Sequence, residues 1–223
     1  MRSRGLDCAG ACIALALTLA SPAAVAAPLS DEEFAAACAG ADGPEGCARR
    51  IEEIQLKRLP NLATRNGDTL KVSLYPSGTT EFTDTVTLQG GRTYALWDFL
   101  SEINAVVLFA TNEGHSSFVL LQRANGRRYD LPSEPKLSPD RMHLATADFC
   151  AASCVNELPV WRVTKDGVQK ELAWKPARPW GDAGVTWKNP DTLVIEYTAA
   201  DAKNEATLER RLTDPSWQRA DAP

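Results

Sequence analysis

From Thr69 onward, apolar side chains fall at every second position, and that period of two commits most of the chain to β-structure. Leu70, Val72 and Leu74 alternate with Lys71, Ser73 and Tyr75, and Phe82, Val86 and Leu88 continue after the Pro76-Ser77-Gly78 turn. Residues 106–110 (Val-Val-Leu-Phe-Ala) are apolar on both faces, as a central strand is. Two hairpin signals follow. Asn125-Gly126 joins residues 118–123 to 128–131, and Asp166-Gly167 joins 158–163 to 169–174; such dipeptides supply the positive φ of tight antiparallel turns. Residues 193–197 and 206–212 read as the last strands, with a turn at Asp214-Pro215. Little helix is expected after residue 60.

The turn markers Gly78, Gly126, Gly167 and Asp214 stand 48, 41 and 47 residues apart. A period of 40–50 residues with several strands per unit is the signature of propeller blades. Leu137-Ser138-Pro139-Asp140, followed by Leu144-Ala145 and Leu158-Pro159-Val160-Trp161, resembles the strand pair of WD40-type and TolB-type propeller blades. That likeness covers about 40 residues of one unit. Arg141 stands where a glycine is usual, and no Gly-His…Trp-Asp pair frames a unit. The resemblance implies antiparallel β-structure and carries no activity. The expected fold is therefore mainly β, an antiparallel meander of propeller-blade-like units forming an incomplete or small β-propeller, with a β-sandwich as the alternative.

The N-terminal region reads differently. Arg2 and Arg4 precede an apolar run from about Ala9 to Ala20, and Ala24-Val25-Ala26 supplies an A-x-A site, which is the layout of a secretory signal peptide cut after Ala26. The run has about a dozen residues against the ~20 needed to span a bilayer, and no later run is longer, so no membrane span is expected. Cys8 and Cys12 leave with the signal. Cys38, Cys47, Cys150 and Cys154 remain, and an even number in an exported chain reads as two disulfides. Three connectivities are possible, and proximity favours Cys38–Cys47 and Cys150–Cys154. Their spacings are not those of a zinc site or a C-x-x-C redox pair.

Residues 30–59 read as a helical hairpin. Ser30 with Glu33 makes a capping-box pattern for a helix to about Cys38, and a second helix runs from about Cys47 to Leu59 before Pro60. Its Ile51, Ile54 and Leu59 form an apolar side, and Arg49, Arg50, Glu52, Glu53 and Lys57 are expected to form a solvated face. The organisation is thus 1–26 signal peptide, 27–60 disulfide-linked helical hairpin and 61–223 β-domain.

The chain carries a formal charge of −5 and no Lys/Arg run, a poor match to nucleic acid or an anionic membrane surface. Loss of residues 1–26 makes it one unit more acidic. His115 and His143 are the two histidines. Gly114-His115-Ser116-Ser117 lacks the strand-to-helix context of a nucleophile elbow. Neither Glu113 with His115 nor Asp140 with His143 and Asp148 has metal-ligand spacing. No catalytic residue, metal or cofactor is therefore assigned.

Contact surfaces are the remaining candidates. Trp180 and Asp182 lie in the Pro-rich stretch 176–182, which could present an aromatic to a peptide or sugar; the alternative is a tryptophan plugging the end of the domain. Asp148 and Asn156 flank the Cys150–Cys154 tip, where a disulfide would pre-order a loop for binding. His115 sits on a polar tip between strands. The expected function is a periplasmic or secreted binding, interaction or inhibitor module whose partner is another envelope protein or a cell-wall component. The alternatives are an envelope hydrolase using scattered acids with His115 or His143, and a structural assembly protein.

Overall fold

The computed structural model of the protein describes residues 28–87, 90–151 and 154–220. The expected signal peptide and the expected strand position Leu88 lie outside the described residues. Helix α1 (Asp31–Cys38) starts as its sequence dictates: the Ser30 hydroxyl accepts from the Glu33 N–H and the Glu33 carboxylate accepts from the Ser30 N–H at 2.9 Å. Helix α2 (Gly43–Arg58) begins four residues before Cys47, because Pro44 falls in the first turn, where its missing N–H costs no helical bond. The Cys38–Cys47 disulfide joins the two helices. Arg50 donates to the carbonyls of Ala39 and Gly40 at 2.7 and 3.0 Å, satisfying groups that the end of α1 leaves open.

Beyond the hairpin the described residues are mainly β, in four antiparallel sheets that follow one another in chain order. The first holds β1 (Ala63–Asn66), β2 (Thr69–Ser73) and β3 (Thr79–Thr83). The second holds β4 (Thr85–Thr87), β5 (Gly90–Leu100), β6 (Ala105–Asn112), β7 (His115–Gln122) and β8 (Arg127–Leu131) in that order. In the third, β9 (Lys136–Leu137), β10 (His143–Ala145), β11 (Leu158–Thr164) and β12 (Gly167–Trp174) are completed by the late strand β16 (Gln218–Arg219) beside β12. The fourth holds β13 (Trp180–Asn189), β14 (Thr192–Ala199) and β15 (Glu205–Arg211). After residue 60 the described helix is the short turn Ser101–Ile103.

Three buried clusters lie between successive layers. Leu70, Val72 and Phe82 of the first sheet meet Leu96, Val106 and Leu108 of the second. The opposite face of the second sheet, with Trp97, Phe109 and Phe118, packs on the helical hairpin and on Leu144 and Val168 of the third. Trp174 and Val160 then meet Ile195 and Val185 of the fourth. The apolar residues 106–110 are thus buried on both faces of a central sheet. Among the described residues no cluster joins the first sheet to the fourth, and no closed propeller or barrel is present. The outer face of the first sheet carries Thr64, Lys71, Glu81 and Thr83, and that of the fourth carries Asp182, Glu196, Thr207 and Glu209. Polar surface on both ends stops the stack.

The two hairpin tips of the central sheets interlock. Asn125 Nδ2 and the Tyr129 hydroxyl both donate to the Asp166 carbonyl, at 2.9 and 3.1 Å. Gly167 lies directly beneath the Tyr129 ring at φ +135°, and a Cβ there would sit 1.9 Å from the Tyr129 hydroxyl oxygen. Glycine is the residue that fits this approach.

One correction concerns α2. Its Arg49 and Glu52 do not form a solvated face; Glu52 is buried. Strand β4 pairs with β5 only at Gly90–Arg92, which leaves part of the strand edge beyond it open. Glu52 accepts from the Leu96 N–H at 2.8 Å, Asp84 accepts from the Tyr94 N–H at 2.8 Å, Arg49 donates to the Tyr94 carbonyl at 2.9 Å and Gln55 donates to the Trp97 carbonyl at 2.9 Å. Arg65 pairs with both oxygens of Glu52 and reaches Asp84, which Arg49 also contacts. Side chains here do the work of a neighbouring strand, covering an edge that would otherwise recruit another chain.

Candidate functional site

The most distinctive cleft lies where the start of the helical hairpin meets the second, third and fourth sheets, and a β-bulge shapes it. Leu96 stands opposite Leu108 and Asp98 opposite Val107, so Trp97 is an extra residue in β5. Tyr94, Leu96 and Phe99 face the first sheet, while Ala95, Trp97 and Leu100 face the hairpin. The bulge breaks the alternation and turns Asp98 toward the hairpin side, where it lines the cleft beside Leu100. A lone carboxylate thereby enters the otherwise apolar run Ala95–Leu100.

The cleft is about 570 Å³, with Leu29, Phe34, Asp98, Leu137 and Trp187 on its walls. A second cavity of about 310 Å³ adjoins it through Asp98, Leu100 and Pro139, and reaches Glu102, Ser138 and Arg141. Phe34 is fixed edge-on against Trp97 with ring centroids 5.2 Å apart. Trp187 is fixed by its indole N–H, which donates to the Lys136 carbonyl at 2.8 Å. Rigid aromatic walls hold the cleft open.

Asp98 accepts one hydrogen bond, from the Phe99 N–H at 2.8 Å. Among the described residues no lysine or arginine forms an ion pair with it; Lys136 is paired with Glu134 at 2.7 Å. Burial pushes the Asp98 carboxyl above the ordinary carboxylate range, and Glu134 and Glu102 push the same way, against the Phe99 N–H and Lys136. The ionised form therefore carries a stability cost that grows as pH rises past the unfolded carboxyl's value of about 3.9 and is complete above the raised folded value. Asp98→Asn is accordingly expected to raise the melting temperature at pH 7. The gain should shrink as pH falls through the carboxylate range, where the native carboxyl becomes neutral too. Thermal unfolding of both proteins between pH 3.5 and 7.5 measures this, and a gap independent of pH would contradict it.

The residues singled out from sequence do not form one site. Trp180 opens β13 and is 5% exposed, stacked on Tyr197 at 3.9 Å and packed against Trp174 and Phe149. A rigid loop does not present it to solvent, because pairing with Ala199 draws it into the sheet; it plugs the third cluster. Asp182 lies opposite Thr198 on the outer face of the fourth sheet, near Glu196 and Glu205. His115 is exposed opposite Asn112, after a tight turn in which Glu113 and Gly114 both have positive φ.

Asp148 and Asn156 shape the disulfide loop. Asp148 and Glu157 exchange backbone hydrogen bonds, and the Asp148 carboxylate accepts from the Val155 N–H at 3.1 Å. Asn156, at φ 55°, donates to the carbonyls of Cys150 and Cys154 at 3.4 Å. The Cys150–Cys154 bridge closes the loop, and Phe149 links it to Trp180 at 4.9 Å. Trp180 and the disulfide loop therefore come together, while His115 and Asp182 lie elsewhere.

The other polar cluster surrounds His143. Its Nε2 lies 3.5 Å from Glu171, and Arg162 grips the same carboxylate, holding Glu171 below the usual carboxylate range with His143 as a lesser contributor. Ser138 donates to Asp140 at 2.6 Å and accepts from the backbone N–H of His143 at 2.9 Å. This arrangement fixes a turn and leaves no hydroxyl poised on the imidazole. Among the described residues no three His, Cys, Asp or Glu side chains converge in a metal-holding group.

Sequence reasoning missed Asp98 and assigned no role to Trp187. The signal for Asp98 was the single charge within Tyr94-Ala95-Leu96-Trp97-Asp98-Phe99-Leu100. Comparison with protein-family models and with curated proteins finds no match to this chain.

Proposed function

We propose that the protein is an exported binding module that recognises its partner in the cleft beside Asp98. The observation that carries this reading is a half-buried carboxylate with no cationic partner among the described residues, set in a cleft with fixed aromatic walls. A group held at a cost to stability is a common mark of a functional site. Two disulfides fit an extracellular or periplasmic location, and the expected signal peptide agrees with it. The partner is read as another envelope protein rather than nucleic acid, in keeping with the acidic chain. The four meanders are read as blade-like units of an incomplete propeller, supported by their 41–48-residue spacing. Polar outer faces on the end sheets oppose face-to-face completion by a second chain.

Thr186 is exposed on the rim of the cleft, so Thr186→Trp should fold normally and fill the cleft. Binding of an envelope partner, measured by pull-down against the wild type, should fall with Thr186→Trp and persist with His115→Ala and Asp182→Ala. Wild-type retention by Thr186→Trp would remove the cleft as the binding surface.

A further inference from the structure

We infer that the cleft takes the side chain of a lysine from an extended partner polypeptide, with the ammonium seated on Asp98. This rests on the cleft being the binding surface. The charge balance selects a cation: Asp31, Asp98, Glu102 and Glu134 line the two joined cavities against Lys136 and Arg141. Lys136 is already tied to Glu134 at 2.7 Å, and Asp31 and Glu102 are exposed to water, so Asp98 is the partly buried carboxylate left to be neutralised. Transfer of water-exposed charge onto a desolvated opposite charge is favoured when the receiving group lacks a cationic partner, and among the described residues Asp98 meets that condition.

The walls select what carries the cation. Leu29, Phe34, Leu137 and Trp187 offer an apolar path suited to a run of methylenes leading to a charged tip. One Asp98 oxygen already accepts the Phe99 N–H. A guanidinium fork pairs best with two free oxygens, whereas an ammonium is a point charge that can use one. Lysine is therefore preferred over arginine. The cleft and its adjoining cavity extend from Trp187 past Asp98 to Arg141, a track with room for backbone on either side of the lysine. That continuity favours a polypeptide over a free amine.

The test uses the full disulfide-bonded protein and four acetylated, amidated tripeptides, Leu-Lys-Leu and its forms with arginine, norleucine or glutamate in the middle, plus n-butylamine. Nitrogen–proton spectra report binding through the Trp187 indole N–H and the Leu100 amide, and titration gives affinity. The lysine peptide should shift both signals and bind more tightly than the arginine peptide. Asp98→Asn should weaken it by about 10–100-fold, the effect of losing a hydrogen bond to a charged group, and should leave the norleucine peptide unchanged. Equal binding of the lysine and norleucine peptides, or an unchanged lysine affinity in Asp98→Asn, overturns the lysine assignment and leaves the cleft standing. Butylamine binding as tightly as the lysine peptide overturns the polypeptide. If no peptide or amine moves the Trp187 or Leu100 signals, the lysine inference and the cleft reading fall together.

Discussion

Glu52→Ala is expected to cost about 3–5 kcal/mol of folding stability, the range seen when one member of a buried ion pair is removed. The Glu52 side chain is 4% exposed and Arg65 is 16% exposed, so water cannot readily replace what is lost. Two groups are stranded at once: the Arg65 guanidinium loses its bidentate partner, and the Leu96 N–H loses its acceptor. Domains of this kind are stable by roughly 5–15 kcal/mol, so the variant should show a large drop in urea midpoint. Glu52→Gln separates the two losses. Its amide oxygen can still accept from Leu96 while the charge is gone, so it should lie between the wild type and Glu52→Ala. A solvated helix face would respond differently, since exposed substitutions away from special features stay within about 0.5 kcal/mol. A midpoint unchanged in Glu52→Ala would restore that reading.

Trp180→Ala should be about as severe, again about 3–5 kcal/mol, because it removes a large ring from a packed cluster and leaves a cavity between Tyr197, Trp174 and Phe149. Trp180→Phe retains a ring to stack on Tyr197 and should cost much less. The contrast decides between the two readings of this residue. An aromatic displayed for a partner would lose binding with little change in melting temperature. An aromatic holding the third and fourth sheets together loses stability first. Chemical unfolding followed by the fluorescence of the remaining tryptophans distinguishes them, and a melting temperature unmoved in Trp180→Ala would return the residue to the surface candidates.

Local signals in the sequence translated well. Ser30 and Glu33 specify the start of α1 by their own side chains, and the Asn125-Gly126 and Asp166-Gly167 turns join the flanking strands that their dipeptides mark. Both disulfides follow from proximity. What stayed hidden depends on partners far along the chain. Glu52 looks like any exposed helical acid until Leu96, 44 residues later, supplies an unpaired N–H. β13 contains Gly181, Asp182 and Gly184, which read as loop by propensity, yet ten residues from Trp180 to Asn189 are drawn into a strand by pairing with β14. The polar strand β1 shows no alternation of its own, and its register comes from β2. The candidate site was the least legible part. Its aspartate turns into the cleft through a bulge, and its tryptophan arrives from another sheet 89 residues later.

The helix that shields the β5 edge is encoded before that strand. A chain emerging N-terminus first therefore presents Arg49, Glu52 and Gln55 some forty residues ahead of the carbonyls and N–H groups they meet. When the sticky segment Tyr94–Leu100 appears, its guard is already made and its own disulfide can already have closed. The reverse order would leave an apolar strand waiting bare among other unfinished chains, the situation in which intermolecular pairing competes best with folding. Moving residues 28–60 to the C-terminus by circular permutation would reverse that order and is expected to favour inclusion bodies during synthesis.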